Sequence, residues 1–249
     1  MRLSGRKTMA VAKLKFKMVL SNTSAMMGPI MAIGMVAIMK ILYGSLAGDS
    51  PEQLPALYAS ALNMGVVMNI SLGGLMLTCL PMAEEKEKNT LRSLMTSSVN
   101  GLEYFLGSIV SPMIVMIVTN VLAVLISGID MSQFNWGMYL LLTTIASLLS
   151  CVLGMLIAIF SKSQMSANAS LTPFGLILAI VPMFGLASEG LGNASKFLYT
   201  GVVSQMLSSY GTGTSFTLET QSLLVFIVQG ILIMGLFVFF YQRNGYEAD

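Results

Sequence analysis

Charged and metal-binding side chains are scarce in this sequence of 249 residues, which has no histidine and only 13 basic and 11 acidic residues. Charged residues make up 10% of the chain, whereas soluble domains carry about 25%. This scarcity excludes an ordinary water-soluble domain. The two cysteines, Cys79 and Cys151, form no metal-binding set without histidine, and we expect no disulfide because Cys79 falls near a reducing compartment.

Long uncharged runs are what the chain has instead. Six of them exceed the roughly 20 residues that a helix needs to cross a hydrocarbon core about 30 Å thick. The short alternating segments of a membrane barrel do not occur. The sequence therefore predicts an all-α polytopic membrane protein with six transmembrane helices, at about 20–43, 58–80, 106–128, 137–160, 169–187 and 221–241.

The distribution of basic residues predicts the orientation of these spans. Eleven of the thirteen lysines and arginines fall in the N-terminal segment, the second-to-third and fourth-to-fifth connections and the C-terminal tail. Only Lys40 and Lys196 fall on the other side. Because basic loops remain in the cytoplasm, we predict a multi-pass protein of a bacterial cell membrane with both termini cytoplasmic.

The basic N-terminal segment has the pattern of an amphipathic interfacial helix. On a helical projection, one arc holds Arg2, Arg6, Lys13 and Lys17. The neighbouring arc holds Leu3, Ala10, Val11, Leu14 and Met18. The alternative is a disordered basic tail.

Small and weakly polar residues form stripes at helical spacing on the second and fourth spans. Such residues allow membrane helices to pack closely. We favour close packing for the fourth span, where the stripe is Thr143, Ser147, Ser150, Gly154 and Ala158. For the second span, packing and a substrate path remain alternatives, and the candidate path residues are Ser60, Asn63, Met64, Ser71 and Thr78.

The sequence offers no energy source of its own. No span carries an acidic residue or histidine near its centre, as ion-coupled transporters usually do. The chain also lacks a GxxxxGK[ST] phosphate loop. Energy would therefore arrive from a partner through a cytoplasmic loop. On the other side, residues 188–219 form the longest connection, and their apolar periodicity predicts a short helix that lies in or dips into the membrane interface.

One internal segment concentrates charge, because five charged residues stand in a row at 84–88. We expect this run to face water, with Thr90, Leu91, Leu94 and Met95 following it as a short amphipathic turn. Apolar side chains beside charge favour a docking surface. The alternative is a solvated loop that only follows the distribution of basic residues.

The sequence EKEKNTLRSLMTSSVNGLEYFLGS, residues 85–108, resembles the first intracellular loop of the ABC type-2 exporter permeases. That family's pattern is roughly E-[RK]-E-x-G-T-L-E-x-L-x-x-x-P-V, followed by a spacer and E-x-x-x-G-K. Asn89, Ser98 and Ser108 replace its usual glycine, proline and lysine. The matching residues are Glu85, Glu87, Thr90, Leu91, Leu94, Val99, Glu103 and Gly107.

The resemblance implies that the chain is one permease domain, residues 1–249, without enzymatic activity of its own. Its loop would be a coupling helix on a cytoplasmic ABC ATPase dimer, which would hold ATP and magnesium. A second permease subunit, identical or different, would complete the unit within the lipid bilayer, and no nucleic acid is implied. The implied ATPase-coupling residues are Glu84, Glu85, Glu87, Thr90, Leu91, Leu94, Met95 and Glu103.

The function implied by the resemblance is export of an amphipathic or hydrophobic cargo, such as a peptide or drug-like molecule, by alternating access at the dimer interface. The short loops favour a small cargo that partitions into the membrane. Export of a lipid-linked glycan is an alternative. A non-transporting membrane scaffold or sensor that uses the same ATPase contact is another.

Overall fold

The computed structural model describes residues 4–47, 51–88, 90, 101–185, 188–214 and 216–244. Within these ranges the chain is helical and has no β-strand. A π-helical segment, Asn69–Gly73, joins the third and fourth helices without a break. The α-helices are α1 Gly5–Ser21, α2 Thr23–Ala47, α3 Leu54–Met68, α4 Gly74–Glu87, α5 Gly101–Ser127, α6 Trp136–Phe160, α7 Gln164–Met183, α8 Glu189–Ser195, α9 Tyr199–Thr212 and α10 Thr220–Asn244.

In the described part of the chain, six helices are long and apolar enough to cross a bilayer, as predicted. The second span, Leu54–Glu87, has 34 residues and is longer at both ends than the predicted 58–80. The other spans follow the expected windows closely. They are Thr23–Leu46, Gly101–Ser127, Trp136–Phe160, Gln164–Met183 and Thr220–Arg243.

Side-chain caps fix the starts of several spans. The Asn22 carboxamide accepts a hydrogen bond from the amide of Ala25 at the start of α2, and Asn135 accepts from Met138 at the start of α6. α7 begins with a reciprocal capping box between Ser163 and Ser166. These caps satisfy amides that a helix leaves unpaired in its first turn.

The second span lies at the centre of the bundle. In its most apolar window 89% of residues are buried, whereas the corresponding values are 28% for α2 and 22% for α10. The peripheral helices therefore expose apolar faces, as a lipid-contacting helix does. The central helix instead contacts its neighbours along its whole length.

The N-terminal segment is helical, and it buries one face against the protein. Val11, Ala12, Lys15 and Val19 are buried, while Leu14 is 43% exposed. Val11 packs on Gly107 of α5, so this contact defines the buried face, and most of the predicted apolar arc lies outside it. The position of this helix relative to lipid headgroups stays a prediction.

The connection between the fifth and sixth spans contains the predicted helix, and it enters the bundle. At the start of α9, the Tyr199 hydroxyl lies 2.8 Å from that of Ser150, in the middle of α6. Near the end of α9, the Tyr210 hydroxyl donates to the carbonyl of Asn135, just before α6 begins. α9 therefore runs alongside half of a membrane-spanning helix.

Candidate functional site

The predicted coupling segment divides between described and undescribed residues. Leu91, Leu94 and Met95 lie outside the described residues. The others lie on the two stems of the loop between the second and third spans, at the end of α4 or the start of α5. These are Glu84, Glu85, Glu87, Thr90 and Glu103.

Glu85 lies inside the protein, so the expectation that the whole run of charges faces water is wrong at this position. The Glu85 side chain is fully buried and forms an ion pair with Lys15 of α1. The Tyr104 hydroxyl donates to the same carboxylate oxygen at 2.6 Å, and Lys15 Nζ also lies 2.8 Å from that hydroxyl. These partners offset part of the cost of removing the carboxylate from water, since its second oxygen, Oε1, is buried without a hydrogen bond to any described residue.

Lys15 and Tyr104 are the residues of this cluster that the sequence analysis did not single out. Burial lowers the pKa of the Lys15 ammonium group, and the adjacent Glu85 carboxylate opposes that lowering. The helical projection placed this lysine in neither arc, and its partner Glu85 lies 70 residues away in the sequence. A buried lysine among basic residues that face water has no local sequence signal.

Glu103 holds the opposite stem of the loop against α1. Its buried carboxylate accepts a hydrogen bond of 2.8 Å from the Ser4 amide, just before the start of α1. One turn later, a Cβ on Gly107 would lie 2.7 Å from Cβ of Val11. These two contacts hold α1 against α5. Both Glu103 and Gly107 are positions of the recognised sequence pattern. The N-terminal helix thus contacts both stems of the loop.

Glu84 and Glu87 form a polar ring with Asn22 and Gln164. Asn22 Nδ2 donates to Glu84 at 2.6 Å, and Gln164 Nε2 donates to Asn22 Oδ1 at 3.2 Å. The Gln164 amide then donates to Glu87 at 3.0 Å. This ring joins the end of α4 to the α1–α2 junction and to the start of α7. Glu87, unlike Glu85, is exposed.

The loop itself begins at Lys88 and Thr90. Lys88 is exposed and pairs with Glu84 one turn earlier, which raises the pKa of the lysine. The Thr90 hydroxyl donates to the carbonyl of Glu85 at 3.2 Å. Both contacts lie within the first stem. The remaining predicted contact residues, Leu91, Leu94 and Met95, come after this stem in the sequence.

The candidate path residues on the second span fall into two groups. Asn63, Ser71 and Thr78 are buried, whereas Ser60 and Met64 are partly exposed. The hydroxyls of Ser71 and Thr78 donate to carbonyls four residues earlier on their own helix. Their polarity is therefore satisfied locally.

The two predicted stripes pack against each other. A Cβ on Gly154 of α6 would lie 2.2 Å from the Thr78 hydroxyl and 2.8 Å from the Leu75 carbonyl oxygen. A Cβ on Gly74 would lie 2.6 Å from Cβ of Ser150. The helix pair α4–α6 therefore approaches closely at its glycines. This confirms the packing interpretation for the fourth span and places Thr78 in the same contact.

A polar cluster that the sequence analysis did not single out lies at the π-helical segment. Asn69 Nδ2 donates to Asn120 Oδ1 at 2.8 Å, and the Tyr139 hydroxyl donates to the carbonyl of Asn120 at 2.8 Å. All three residues are buried in membrane-spanning helices. The extra residue of a π-bulge is often found at functional positions. Here it turns an amide towards α5.

The hydrogen bonds and ion pairs at these sites position helices relative to one another. Among the described residues, no group of three or more histidine, cysteine or acidic side chains could hold a metal ion. The charged end of the bundle, defined as the end that carries Glu84 to Lys88, ties together the five helices α1, α4, α5, α6 and α7 and the base of one loop. Such an arrangement can transmit a displacement of that loop to the spans.

A family model described as ABC-2 family transporter protein matches residues 45–241. The match covers more than three quarters of the chain, including the loop between the second and third spans. No curated protein sequence gives a match to this chain. The membrane-spanning helices and the extent of the match together show that this chain belongs to the ABC-2 family of transporter proteins, as a membrane component that associates with an ABC ATPase.

Proposed function

We propose that the chain is the permease subunit of an ATP-driven exporter that moves an amphipathic or hydrophobic cargo, of peptide or drug-like kind, out of the cell or the membrane. The observation that carries this proposal is the pair of described stems that flank the predicted coupling loop in an ABC-2 family protein. Both stems of the loop are bonded to α1. ATP and magnesium belong to the partner ATPase.

The loop contacts the ATPase, and its residues have two roles. Thr90, Leu91, Leu94 and Met95 form the contact surface, with Glu84 and Glu87 at its edge. Glu85 and Glu103 are buried, so they support the loop from within instead of touching the partner. A push on the loop then reaches α1, α4 and α5 together.

A second permease subunit, identical or different, faces α7, and the cargo passes at this interface. The support is the exposed side of α7, where Asn168, Ser170 and Thr172 lie within a membrane-spanning helix, although the Thr172 hydroxyl donates to the carbonyl of Asn168 at 2.6 Å. Polar side chains are costly against lipid tails. A partner subunit or a hydrated path would contact them more favourably. Ser60 and Met64, which are partly exposed, remain candidate path residues.

The test is reconstitution with the ATPase in liposomes, followed by ATP hydrolysis and transport with candidate cargoes. Leu91→Asp places a charge where an apolar anchor is buried against the ATPase. We expect cargo-stimulated hydrolysis and transport to be lost while membrane insertion persists. Leu46→Asp is the control. It makes the same change near the end of α2, at the end of the bundle opposite to the loop, where the leucine is 69% exposed. It should leave both activities intact.

The alternatives are separate outcomes of the same experiment. Stimulation by a lipid-linked glycan but not by peptides or drug-like molecules would replace the proposed cargo. An ATPase that binds but responds to no cargo would identify a scaffold or sensor. Wild-type export by Leu91→Asp would contradict the role of the loop.

A further inference from the structure

Lys86 and Glu87 bond to the two ends of the turn between α6 and α7. Lys86 Nζ donates to the carbonyls of Ala158 at 2.8 Å and Ile159 at 2.7 Å, in the last turn of α6. The neighbouring Glu87 accepts a hydrogen bond from the amide of Gln164, the first residue of α7. Adjacent residues of α4 thus bond to the end of one span and the start of the next.

The charges match the helix ends that they contact. The last carbonyls of a helix lack partners within it and carry partial negative charge, whereas the first amides carry partial positive charge. Lys86 of α4 contacts the end of α6 and Glu87 of α4 contacts the start of α7. Each helix end therefore gains a partner of opposite charge. The side chain of Lys86 is partly buried, and its two bonds are charge-assisted. If the two charges were exchanged, each side chain would have the same sign of charge as the helix end that it contacts.

The side chain of Gln164 adds a second link to the same turn. It donates to Asn22, which in turn donates to Glu84 on α4. The first turn of α7 is therefore bonded to α4 through its backbone amide and through a side chain. The end of α6 is bonded to α4 through Lys86. The α6–α7 turn is therefore bonded to the end of α4 at both of its ends.

We propose that Lys86 is a positioning residue that makes α7 follow the loop, and this inference rests on the proposed function. A displacement of the loop moves the end of α4. Through Lys86, Glu87 and the Asn22–Gln164 link, that displacement moves the start of α7, the helix with the exposed polar face. Lys86 touches neither ATPase nor cargo in this mechanism.

Lys86→Met is the decisive variant, and Lys88→Met is its matched control. Both lysines lie on the same stem, but Lys88 is exposed and bonds only within that stem. In permease purified without the ATPase, we expect Lys86→Met to increase hydrogen exchange of the first amides of α7 about tenfold, because the turn loses its anchor. Lys88→Met should leave this exchange unchanged. Equal exchange in both variants would overturn the inference.

The second arm uses the complex with the ATPase in liposomes. We expect Lys86→Met to retain basal hydrolysis and to lose about tenfold in cargo-stimulated hydrolysis and transport. Lys86→Arg should restore coupling, because arginine can donate to both carbonyls. Wild-type coupling by Lys86→Met would overturn the inference and leave the permease function standing. If the wild-type complex responds to no cargo, the proposed function fails, and the exchange measurement still decides whether Lys86 holds the turn.

Discussion

The two ends of α4 are held by different forces. At its charged end, Glu84, Glu85, Lys86 and Glu87 each bond to a different partner, on α1, α6, α7 or the α1–α2 junction. At its opposite end, Gly74 and Thr78 pack against small residues of α6, and the Thr78 hydroxyl bonds only to its own helix.

The difference follows from what each environment leaves unpaired. In the middle of a span the helix satisfies its own backbone, so close approach and dispersion can hold helices together. At helix ends, carbonyls and amides lack partners within the helix. Charged side chains from a neighbouring helix supply those partners. The same α4 helix therefore uses small residues within the bundle and charges at its edge.

The largest expected effect comes from breaking the buried pair at the charged end. Lys15→Met leaves the Glu85 carboxylate buried without its cation, which should cost about 3–5 kcal/mol of unfolding free energy. The measurement is SDS-induced unfolding in mixed micelles, monitored by fluorescence of Trp136, the single tryptophan.

Two controls distinguish this pair from a general effect of charge. Lys13→Met removes an exposed lysine of the same helix and should change stability little. Lys15→Met combined with Glu85→Gln removes both charges while keeping an acceptor for Tyr104, and should recover most of the loss. A double variant as unstable as Lys15→Met would contradict the ion-pair explanation.

An intermediate effect is expected inside the bundle at Gly154. An alanine there would place Cβ 2.2 Å from the Thr78 hydroxyl, so α4 and α6 must separate. We expect a loss of about 1–3 kcal/mol in the same unfolding measurement. Gly235→Ala of α10, where the structure leaves open space within 4 Å, is the matched control and should be neutral or slightly stabilising. Equal losses in both variants would rule out the packing explanation.

A smaller effect is expected at the polar cluster of the π-helical segment. Asn69→Leu removes the hydrogen bonds to Asn120 and to the carbonyl of Met116. For the bond between positions 69 and 120 we expect a coupling energy of about 0.6 kcal/mol, with an upper bound near 1.7 kcal/mol for such bonds in membranes. Comparison of the single and double Leu variants at positions 69 and 120 isolates this bond. If the Asn69→Leu loss is the same with and without Asn120, the two amides do not interact energetically.

The smallest structural perturbation tests which end of the bundle is cytoplasmic. Cysteines at the exposed positions Ser132 and Thr214 should react with an impermeant reagent added outside intact cells, and a cysteine at Lys88 should not. The native Cys79 and Cys151 are buried and provide a low background. Labelling at position 88 from outside would reverse the predicted orientation.

The amino-acid sequence was sufficient to predict the number and approximate limits of the spans. Transmembrane helices need about 20 apolar residues in a row, and each such run satisfies its own backbone. The small-residue stripe of α6 was predictable for the same local reason, since i, i+3 and i+4 positions share a helix face. The loop between the second and third spans was recognisable from its motif, because the pattern lies within one continuous segment.

Only the tertiary structure decided what the charged residues contact. Lys15 and Glu85 stand 70 positions apart, and Lys86 reaches carbonyls 72 and 73 positions away. Such pairs depend on how helices are arranged around α4, which no local periodicity encodes. By sequence alone, five consecutive charges read as a water-exposed surface. The arrangement of α1, α6 and α7 buries Glu85 and partly buries Lys86. Burial is tolerated because Glu85 pairs with Lys15 and Lys86 bonds to carbonyls of α6, and these contacts offset part of the lost hydration.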